Sequence, residues 1–276
     1  MSSRSEVLIT VDELPDALSA GAQLLDVRWR LGEEAGAGRA EYRKGHLPGA
    51  RFLDLESVLT GPLIDPTQGR HPLPDADRLA AGLGALGIDP TRPIIVYDEP
   101  GSFAAGRAWW VLRWAGLDAR VLDGGIKAWM AEGGDLVSGE APPVEPTELQ
   151  LSTGHLPTLD AGDVALFNGV LVDVRAPERF RGEVEPIDPK AGHIPGATNR
   201  PVGALWTTDG RLPSHDELRS YFDLDTAKPV AVYCGSGVSA AQAVLALASL
   251  GIDAALYPPS WSGWSADPDR PVAVGG

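Results

Sequence analysis

The sequence predicts an α/β protein built from two tandem copies of one domain, each a parallel sheet flanked by helices on both faces. The first observation is a repeat. Leu-Asp-Val-Arg at 25–28 returns as Val-Asp-Val-Arg at 172–175, and Gly-His-Leu-Pro-Gly-Ala at 45–50 returns as Gly-His-Ile-Pro-Gly-Ala at 192–197. Both pairs share an offset of 147 positions, which indicates a duplication. The second observation is that short apolar runs alternate with helical segments, as in parallel sheets.

The alternation defines the elements of the first copy in order. We expect strands at 23–27, 93–97 and 119–122, and helices at roughly 11–19, 76–86, 104–115 and 125–132. The strand at 93–97 corresponds to an apolar run at 229–233 in the second copy. Open parallel sheets bind ligands beyond the carboxyl ends of their strands. Asp98 and Cys234 follow these two corresponding strands, so the second copy is expected to be the active one.

The connection between the copies, from Ser138 to Pro146, is rich in Pro and Glu, which is typical of a linker. We therefore expect a first, non-catalytic domain at 1–137, a linker at 138–152 and a catalytic domain at 153–276.

Composition excludes several classes of partner. The formal charge is −15, whereas nucleic acids and anionic membranes require a basic face, so neither is expected as a partner. The most apolar stretch, 240–256, is broken by polar residues and does not resemble a membrane span. The N-terminus lacks the apolar core of a signal peptide, and a single cysteine cannot form an intrachain disulfide. These features favour a cytoplasmic protein.

Neither a metal site nor a cofactor is expected. The histidines show no ligand spacing, and one cysteine cannot build a thiolate site. The five histidines are His46, His71, His155, His193 and His215.

The only cysteine, Cys234, stands between the apolar run at 229–233 and a helix expected at 240–247. The loop between them is made of small residues: Gly235, Ser236, Gly237, Val238 and Ser239. This arrangement directs several backbone N–H groups at one point, and the positive end of a helix dipole stabilises a thiolate. A lone cysteine is otherwise most often a buried structural residue, but the glycine-rich loop favours a nucleophile.

Together these motifs resemble the tandem rhodanese-type sulfurtransferases over nearly the whole chain. The resemblance rests on the Asp-Val-Arg strand ends, the two Gly-His turns, Leu-Asp-Gly-Gly at 122–125 followed by Trp129, and the cysteine loop. In that family a degenerate first domain packs against a second domain that carries the nucleophile. Cys-Gly-Ser-Gly-Val at 234–238, followed by a hydroxyl residue, is similar to the 3-mercaptopyruvate branch. Thiosulfate-preferring members typically have basic residues directly after the cysteine.

The resemblance implies that Cys234 accepts sulfur as a persulfide and passes it to a second thiophile. The substrate-binding amides of the loop, which would surround the outer sulfur, are those of Gly235, Gly237, Val238 and Ser239. Ser236 would stabilise or protonate the pyruvate enolate that is left behind. The alternative for Ser236 is a hydroxyl that stabilises the turn.

Substrate charge decides between the two donors that the family uses. Arg179 matches the family arginine that binds the substrate carboxylate, and one arginine with additional donors suffices for a monoanion. Thiosulfate is a dianion and the loop has no cation, so 3-mercaptopyruvate is the expected donor and thiosulfate the alternative. The mercaptopyruvate branch usually has a second arginine where Ile187 stands here. Arg181 and Lys190 are the candidates to replace it.

Two further motifs bear on the site. His46 matches a histidine proposed in the family to act with the loop serine across the domain interface. Because His193 fills the same motif in the other copy, the alternative is that both histidines hold their turns. Tyr-Pro-Pro-Ser-Trp at 257–261, where the family commonly has Asp-Gly before Ser-Trp, is expected to border the pocket.

Two other functions share part of this sequence pattern. A cysteine phosphatase requires an arginine six positions after the cysteine, where Ala240 stands, so this function is excluded. A non-catalytic rhodanese-like binding or regulatory module belongs to a different class, and an unreactive cysteine would favour it. For an enzyme, the expected acceptor is cyanide or a thiol such as that of thioredoxin.

Overall fold

The structure, a computed structural model, describes residues 4–276 and contains two parallel sheets in that part of the chain. The first sheet has the strand order β1-β5-β4-β2-β3, and every neighbouring pair is parallel. Its strands are β1 (Leu8–Ile9), β2 (Gln23–Asp26), β3 (Arg51–Phe52), β4 (Ile94–Tyr97) and β5 (Ala119–Leu122). All four residues of β4 are buried, as expected for a strand covered on both faces.

The second sheet repeats this arrangement with the order β7-β6-β8-β9, again parallel throughout. Its strands are β6 (Val170–Asp173), β7 (Thr198–Asn199), β8 (Val230–Tyr233) and β9 (Ala254–Leu256). A parallel bridge from Thr158 to Leu256 occupies the edge that β1 occupies in the first sheet. The predicted fold class is therefore confirmed.

Helices cover both faces of each sheet. In the first half they are α1 (Arg4–Val7), α2 (Leu14–Ser19), α3 (Ala37–Lys44), α4 (Ala76–Ala85), α5 (Ala104–Trp114) and α6 (Gly125–Ala131). In the second half they are α7 (Ala161–Ala165), α8 (Pro177–Phe180), α9 (His215–Phe222), α10 (Val238–Ser249) and α11 (Ser260–Ala266). Short 3₁₀ helices lie at Pro66–Gln68 and Val202–Ala204. Two N-caps follow the sequence pattern, since the side chains of Asp75 and Ser214 accept backbone N–H groups at the starts of α4 and α9.

Helices α5 and α10 pack against each other and join the two halves through one continuous apolar cluster. Gly106 makes this approach possible, because a Cβ atom there would lie 2.7 Å from Gln242 Cα. The remaining faces of the two sheets have separate apolar clusters, one beneath α2 and α6 and one beneath α7 and α11.

The predicted linker, 138–152, contains no helix or strand and lies along the first half, where Thr147 N donates to Gly84 O at 3.0 Å. The domain limits 1–137 and 153–276 stay a proposal. No helix among the described residues is long and apolar enough to cross a membrane.

Candidate active site

Cys234 follows β8, is 2% exposed, and lies at the N-terminus of α10. The backbone N–H of Gly237 donates to Cys234 Sγ at 3.1 Å, so the loop curls around the sulfur. Gly237 has a φ of 80°, and a Cβ atom there would lie 2.5 Å from Pro258 O. The tight loop therefore requires glycine at this position.

The start of α11 holds the cysteine loop from below. Trp261 N donates to Cys234 O and Ser262 N donates to Gly235 O, both at 2.9 Å. Ser260 Oγ accepts the N–H of Cys234 at 3.1 Å and lies 3.9 Å from its sulfur. The N–H groups of Gly235 and Ser236 have no hydrogen-bond acceptor among the described residues. They are available to a ligand.

The segment at 257–261 thus lies beneath the loop and does not line the pocket, contrary to the expectation from the sequence. Within this segment Ser260, with a φ of 54°, contacts Cys234 directly, a role that the sequence did not predict. Its only signal was the unusual pair of prolines before it.

Above the loop lies a cavity of about 750 Å³ whose wall is formed by both halves of the chain. Cys234 lines it together with all the predicted loop residues except Gly237. The first half contributes Trp29, Arg30, Leu31, Arg70, Gly101 and Phe103, and the second half adds residues 174–179 and 201–204. Ser236 Oγ has no hydrogen-bond partner within residues 4–276, so its turn-stabilising alternative finds no support in the geometry.

Two guanidinium groups, from opposite halves, flank the loop. A methyl group placed on Gly235 would lie 3.2 Å from Arg70 Nη2 and 3.6 Å from Arg179 Nη1. Both side chains line the cavity and remain partly exposed to it, Arg70 by 25% and Arg179 by 16%. Arg179 therefore lies beside the cysteine loop, and its predicted role in binding the substrate carboxylate stays a prediction.

Buried carboxylates hold these arginines in place. Arg179 Nη2 donates to Glu185 Oε1 at 2.6 Å and to Asp188 Oδ2 at 3.1 Å. Asp188 also pairs with Arg70 and thus joins the two guanidinium groups. Burial raises the pKa of Asp188, although Arg70 and Arg179 oppose this effect.

Arg70 is the second arginine at this site, whereas the family usually has that arginine at the position of Ile187. Ile187 is 44% exposed and does not line the cavity. The two candidate replacements are wrong, because Arg181 pairs with exposed Glu183 and Lys190 Nζ donates to Asp267 O at 2.7 Å. The cation comes instead from the first half, so no pattern near Ile187 could have identified it.

The backbone places Arg70 through a contact between the two halves. Arg70 N donates to Ser262 Oγ at 3.1 Å, so the segment that follows the Pro66–Gln68 turn is bonded to α11. Gly69, with a φ of 78°, allows the approach, since a Cβ atom there would lie 2.9 Å from Pro259 Cα.

His46 does not reach the cavity. Its ring is buried, stacks on Tyr42 at 3.8 Å, and its Nδ1 lies 2.9 Å from Tyr42 O. His193 repeats this geometry on Phe180, with a ring distance of 3.7 Å and Nδ1 2.8 Å from Phe180 O. Both histidines thus bond to backbone carbonyls of their own halves, as the alternative expects, and the contacts of His46 give no support to a chemical role.

The histidine near the cavity wall is His71. Its Nε2 lies 3.3 Å from Glu56 Oε1, and its ring meets that of Trp29 edge-on at 5.0 Å. Glu56 also accepts the indole N–H of Trp29 at 2.7 Å, and the hydrogen bond from His71 is the main cause of its lowered pKa. The sequence held one signal for this residue, since His71 has no counterpart in the second copy.

A fully buried arginine of α5 connects the first half to the cysteine loop. Arg107 Nη2 donates to the carbonyls of Leu59, His71 and Pro72, and Nη1 donates to Gly237 O at 3.4 Å. No carboxylate within residues 4–276 forms an ion pair with it. Burial lowers the pKa of Arg107 to about 10, and the charge of Cys234 acts in the opposite direction. The guanidinium is therefore still protonated at neutral pH and places a positive charge behind the cysteine.

Fold and site together define a class of protein, a duplicated parallel α/β fold with one cysteine loop at the junction of its halves. The chain belongs to the family of the rhodanese-like domain, whose sequence pattern matches residues 10–132 and 158–267.

Similar proteins extend over its whole length. The chain is 45% identical over 285 residues to the "Putative thiosulfate sulfurtransferase SseB" of Mycobacterium tuberculosis, covering 100% of this chain and 99% of that one. It is 42% identical over 284 residues to the "Probable 3-mercaptopyruvate sulfurtransferase" of Pseudomonas aeruginosa, with 98% and 99% covered. The crystal structure of the 3-mercaptopyruvate sulfurtransferase SseA from Escherichia coli superposes with a TM-score of 0.82 at 33% identity, covering 92% and 98%. The predicted membership of the tandem rhodanese sulfurtransferases is confirmed.

Proposed function

We propose that this enzyme takes a sulfur atom from 3-mercaptopyruvate onto Cys234 and transfers it to a thiol or to cyanide. One observation carries the proposal: Cys234 lines the cavity, and the guanidinium groups of Arg70 and Arg179 lie beside Gly235, the next residue of its loop. The names of the relatives from Pseudomonas aeruginosa and Escherichia coli support the choice of donor.

In the first step the Cys234 thiolate attacks the sulfur of the donor. An S–S bond forms and the C–S bond breaks, so its electron pair remains on the donor carbon as pyruvate enolate. The enolate then takes up a proton to give pyruvate, and Cys234 remains as a persulfide. Ser236, whose hydroxyl has no protein partner among the described residues, is the group that we place next to the developing charge.

In the second step a thiolate or cyanide attacks the outer sulfur of the persulfide. The S–S bond breaks, its electron pair returns to Cys234 Sγ, and the acceptor leaves as a persulfide or as thiocyanate. The amides of Gly235, Gly237, Val238 and Ser239 surround the outer sulfur, and a thiol such as that of thioredoxin is the acceptor that we propose. Because this chemistry depends on a free thiol, we also propose a reducing, cytoplasmic environment.

Thiosulfate is the second candidate donor, and two observations favour it. The relative from Mycobacterium tuberculosis bears the name of a thiosulfate sulfurtransferase. Arg70 adds to the site a cation that the loop itself lacks. Two guanidinium groups can accept a dianion where one would not suffice.

The test compares sulfur transfer to cyanide from 3-mercaptopyruvate and from thiosulfate, in the purified protein and in Cys234→Ser. We expect a higher kcat/KM with 3-mercaptopyruvate and no transfer above background in the variant. A higher kcat/KM with thiosulfate would favour the second candidate. Absence of transfer from both donors, with an unreactive thiol, would contradict sulfur transfer and favour the non-catalytic binding module.

A further inference from the structure

The two arginines beside the cysteine loop belong to a charge network that has no net charge. Three guanidinium groups line this side of the cavity, those of Arg70, Arg175 and Arg179. Three buried carboxylates pair with them: Asp173 with Arg175, Glu185 with both Arg175 and Arg179, and Asp188 with both Arg70 and Arg179.

Asp188 differs from the other two carboxylates because it bridges the two guanidinium groups that flank Gly235. Its side chain is 3% exposed, so it lies behind the arginines and does not face the cavity. The nitrogens of Arg70 and Arg179 face the loop, and the negative charge of Asp188 lies on their other side, away from the cavity. The site therefore presents oriented N–H donors without an excess of positive charge.

We propose that Asp188 determines donor preference: by offsetting one of the two loop-facing guanidinium charges, it makes the site select a monoanionic donor over a dianionic one. The inference rests on the proposed sulfur transfer and assigns its specificity. Asp188 acts through Arg70 and Arg179 and is a positioning residue.

The physical reason is the charge dependence of the Coulomb energy. A carboxylate at Asp188 repels a bound donor in proportion to the donor's charge, so a dianion suffers twice the repulsion of a monoanion. Water is largely excluded behind the arginines, so this difference is weakly screened there. The guanidinium groups attract a dianion more strongly than a monoanion in the same proportion, so the net charge of the network decides which donor is preferred.

The test replaces Asp188 by Asn, which keeps an acceptor oxygen for the arginines and removes the charge. We expect the ratio of kcat/KM for thiosulfate to kcat/KM for 3-mercaptopyruvate to rise at least tenfold, mainly through a lower KM for thiosulfate. The matched control is Glu183→Gln, which removes one negative charge from the same segment. Glu183 is exposed and pairs with Arg181 outside the cavity, so the ratio should stay within twofold of the wild-type value.

A second variant tests the same charge argument in the opposite direction. Arg70→Gln leaves Asp188 in place and gives the network a net negative charge, so the ratio should fall about tenfold. This variant also keeps the proposal testable if Asp188→Asn does not fold, which thermal unfolding would reveal. Ratios within twofold of wild type in folded variants would overturn the role of Asp188 and leave sulfur transfer intact. A wild-type protein inactive with both donors would overturn both proposals.

Discussion

At the scale of single residues, Arg107 is the most unusual side chain near the site. It is fully buried, bonds only to carbonyl oxygens among the described residues, and reaches Gly237 O in the loop that holds the sulfur. A buried charge without an ion-pair partner is costly, so such a group persists where its charge is used. Here the negative charges that act on Arg107 are those of Cys234 and, less strongly, of Glu56.

We therefore expect Arg107→Leu to slow the reaction of Cys234 with iodoacetamide at pH 7 by about tenfold, and to lower kcat similarly, because the thiolate loses a nearby cation. Arg107→Lys should retain more reactivity, since it keeps the charge. Arg113→Leu is the control on the same helix, because Arg113 lies near the surface and pairs with Asp118. An unchanged alkylation rate in Arg107→Leu would rule out this electrostatic role.

At the scale of elements, the packing of α5 on α10 determines the geometry of the site. Helix α5 carries Arg107, and α10 supplies the N-terminus beneath the sulfur, so their separation sets the distance between the cation and the loop. Gly106 lies where the two helices meet.

For Gly106→Ala we expect a loss of roughly 1–3 kcal/mol in the free energy of unfolding, because overpacking forces the helices apart. In a helix without a close neighbour, the same change from glycine to alanine would raise stability by about 1 kcal/mol. A loss of stability would therefore identify overpacking between the two helices. Urea unfolding measures it, and kcat should fall as well. Gly203→Ala is the stability control, since a Cβ atom there has open space. A variant as stable as the wild type would show that the interface has room for a methyl group.

At the scale of the whole molecule, both halves of the chain contribute residues to one site. The second half supplies Cys234, while the first supplies Arg70, Arg107 and much of the cavity wall. At the position that corresponds to Cys234, the first half has Asp98, whose Oδ2 accepts the N–H of Ala105 at the start of α5 at 2.9 Å. Burial raises the pKa of Asp98 to about 7.

This pKa predicts how stability depends on pH. The folded value of about 7 lies above the ordinary value of 3.8, so the folded protein favours the protonated acid. Its contribution to stability is complete below about pH 4 and is lost as the pH rises through 7. The free energy of unfolding of Asp98→Asn, minus that of the wild type, should therefore increase between pH 4 and 7 and then level off. A difference that does not vary with pH would mean that Asp98 titrates normally.

The duplication, the parallel α/β class and the position of the cysteine loop could all be predicted from the sequence. These features are local patterns, in which strand, small-residue loop and helix follow one another within a few residues. The predicted helices at 104–115 and 125–132 match α5 (Ala104–Trp114) and α6 (Gly125–Ala131) closely for this reason. The helix after Cys234 extends further than predicted, because Gly237 ends the loop and α10 begins directly at Val238.

The charges around the cysteine loop could not be predicted from the sequence, because they depend on how the two halves pack. Arg70 and Arg107 are far from Cys234 in sequence, and they reach its loop because α11 and α10 of the second half pack against the first. Packing also separates two histidines: His71 lies near the cavity wall, whereas His46 is buried against Tyr42 and does not line the cavity. A motif repeated in both copies revealed the fold that the copies share. Arg70, Arg107 and Cys234 have no counterpart in the other copy, and they lie at the junction of the halves, where one copy of the domain differs from the other.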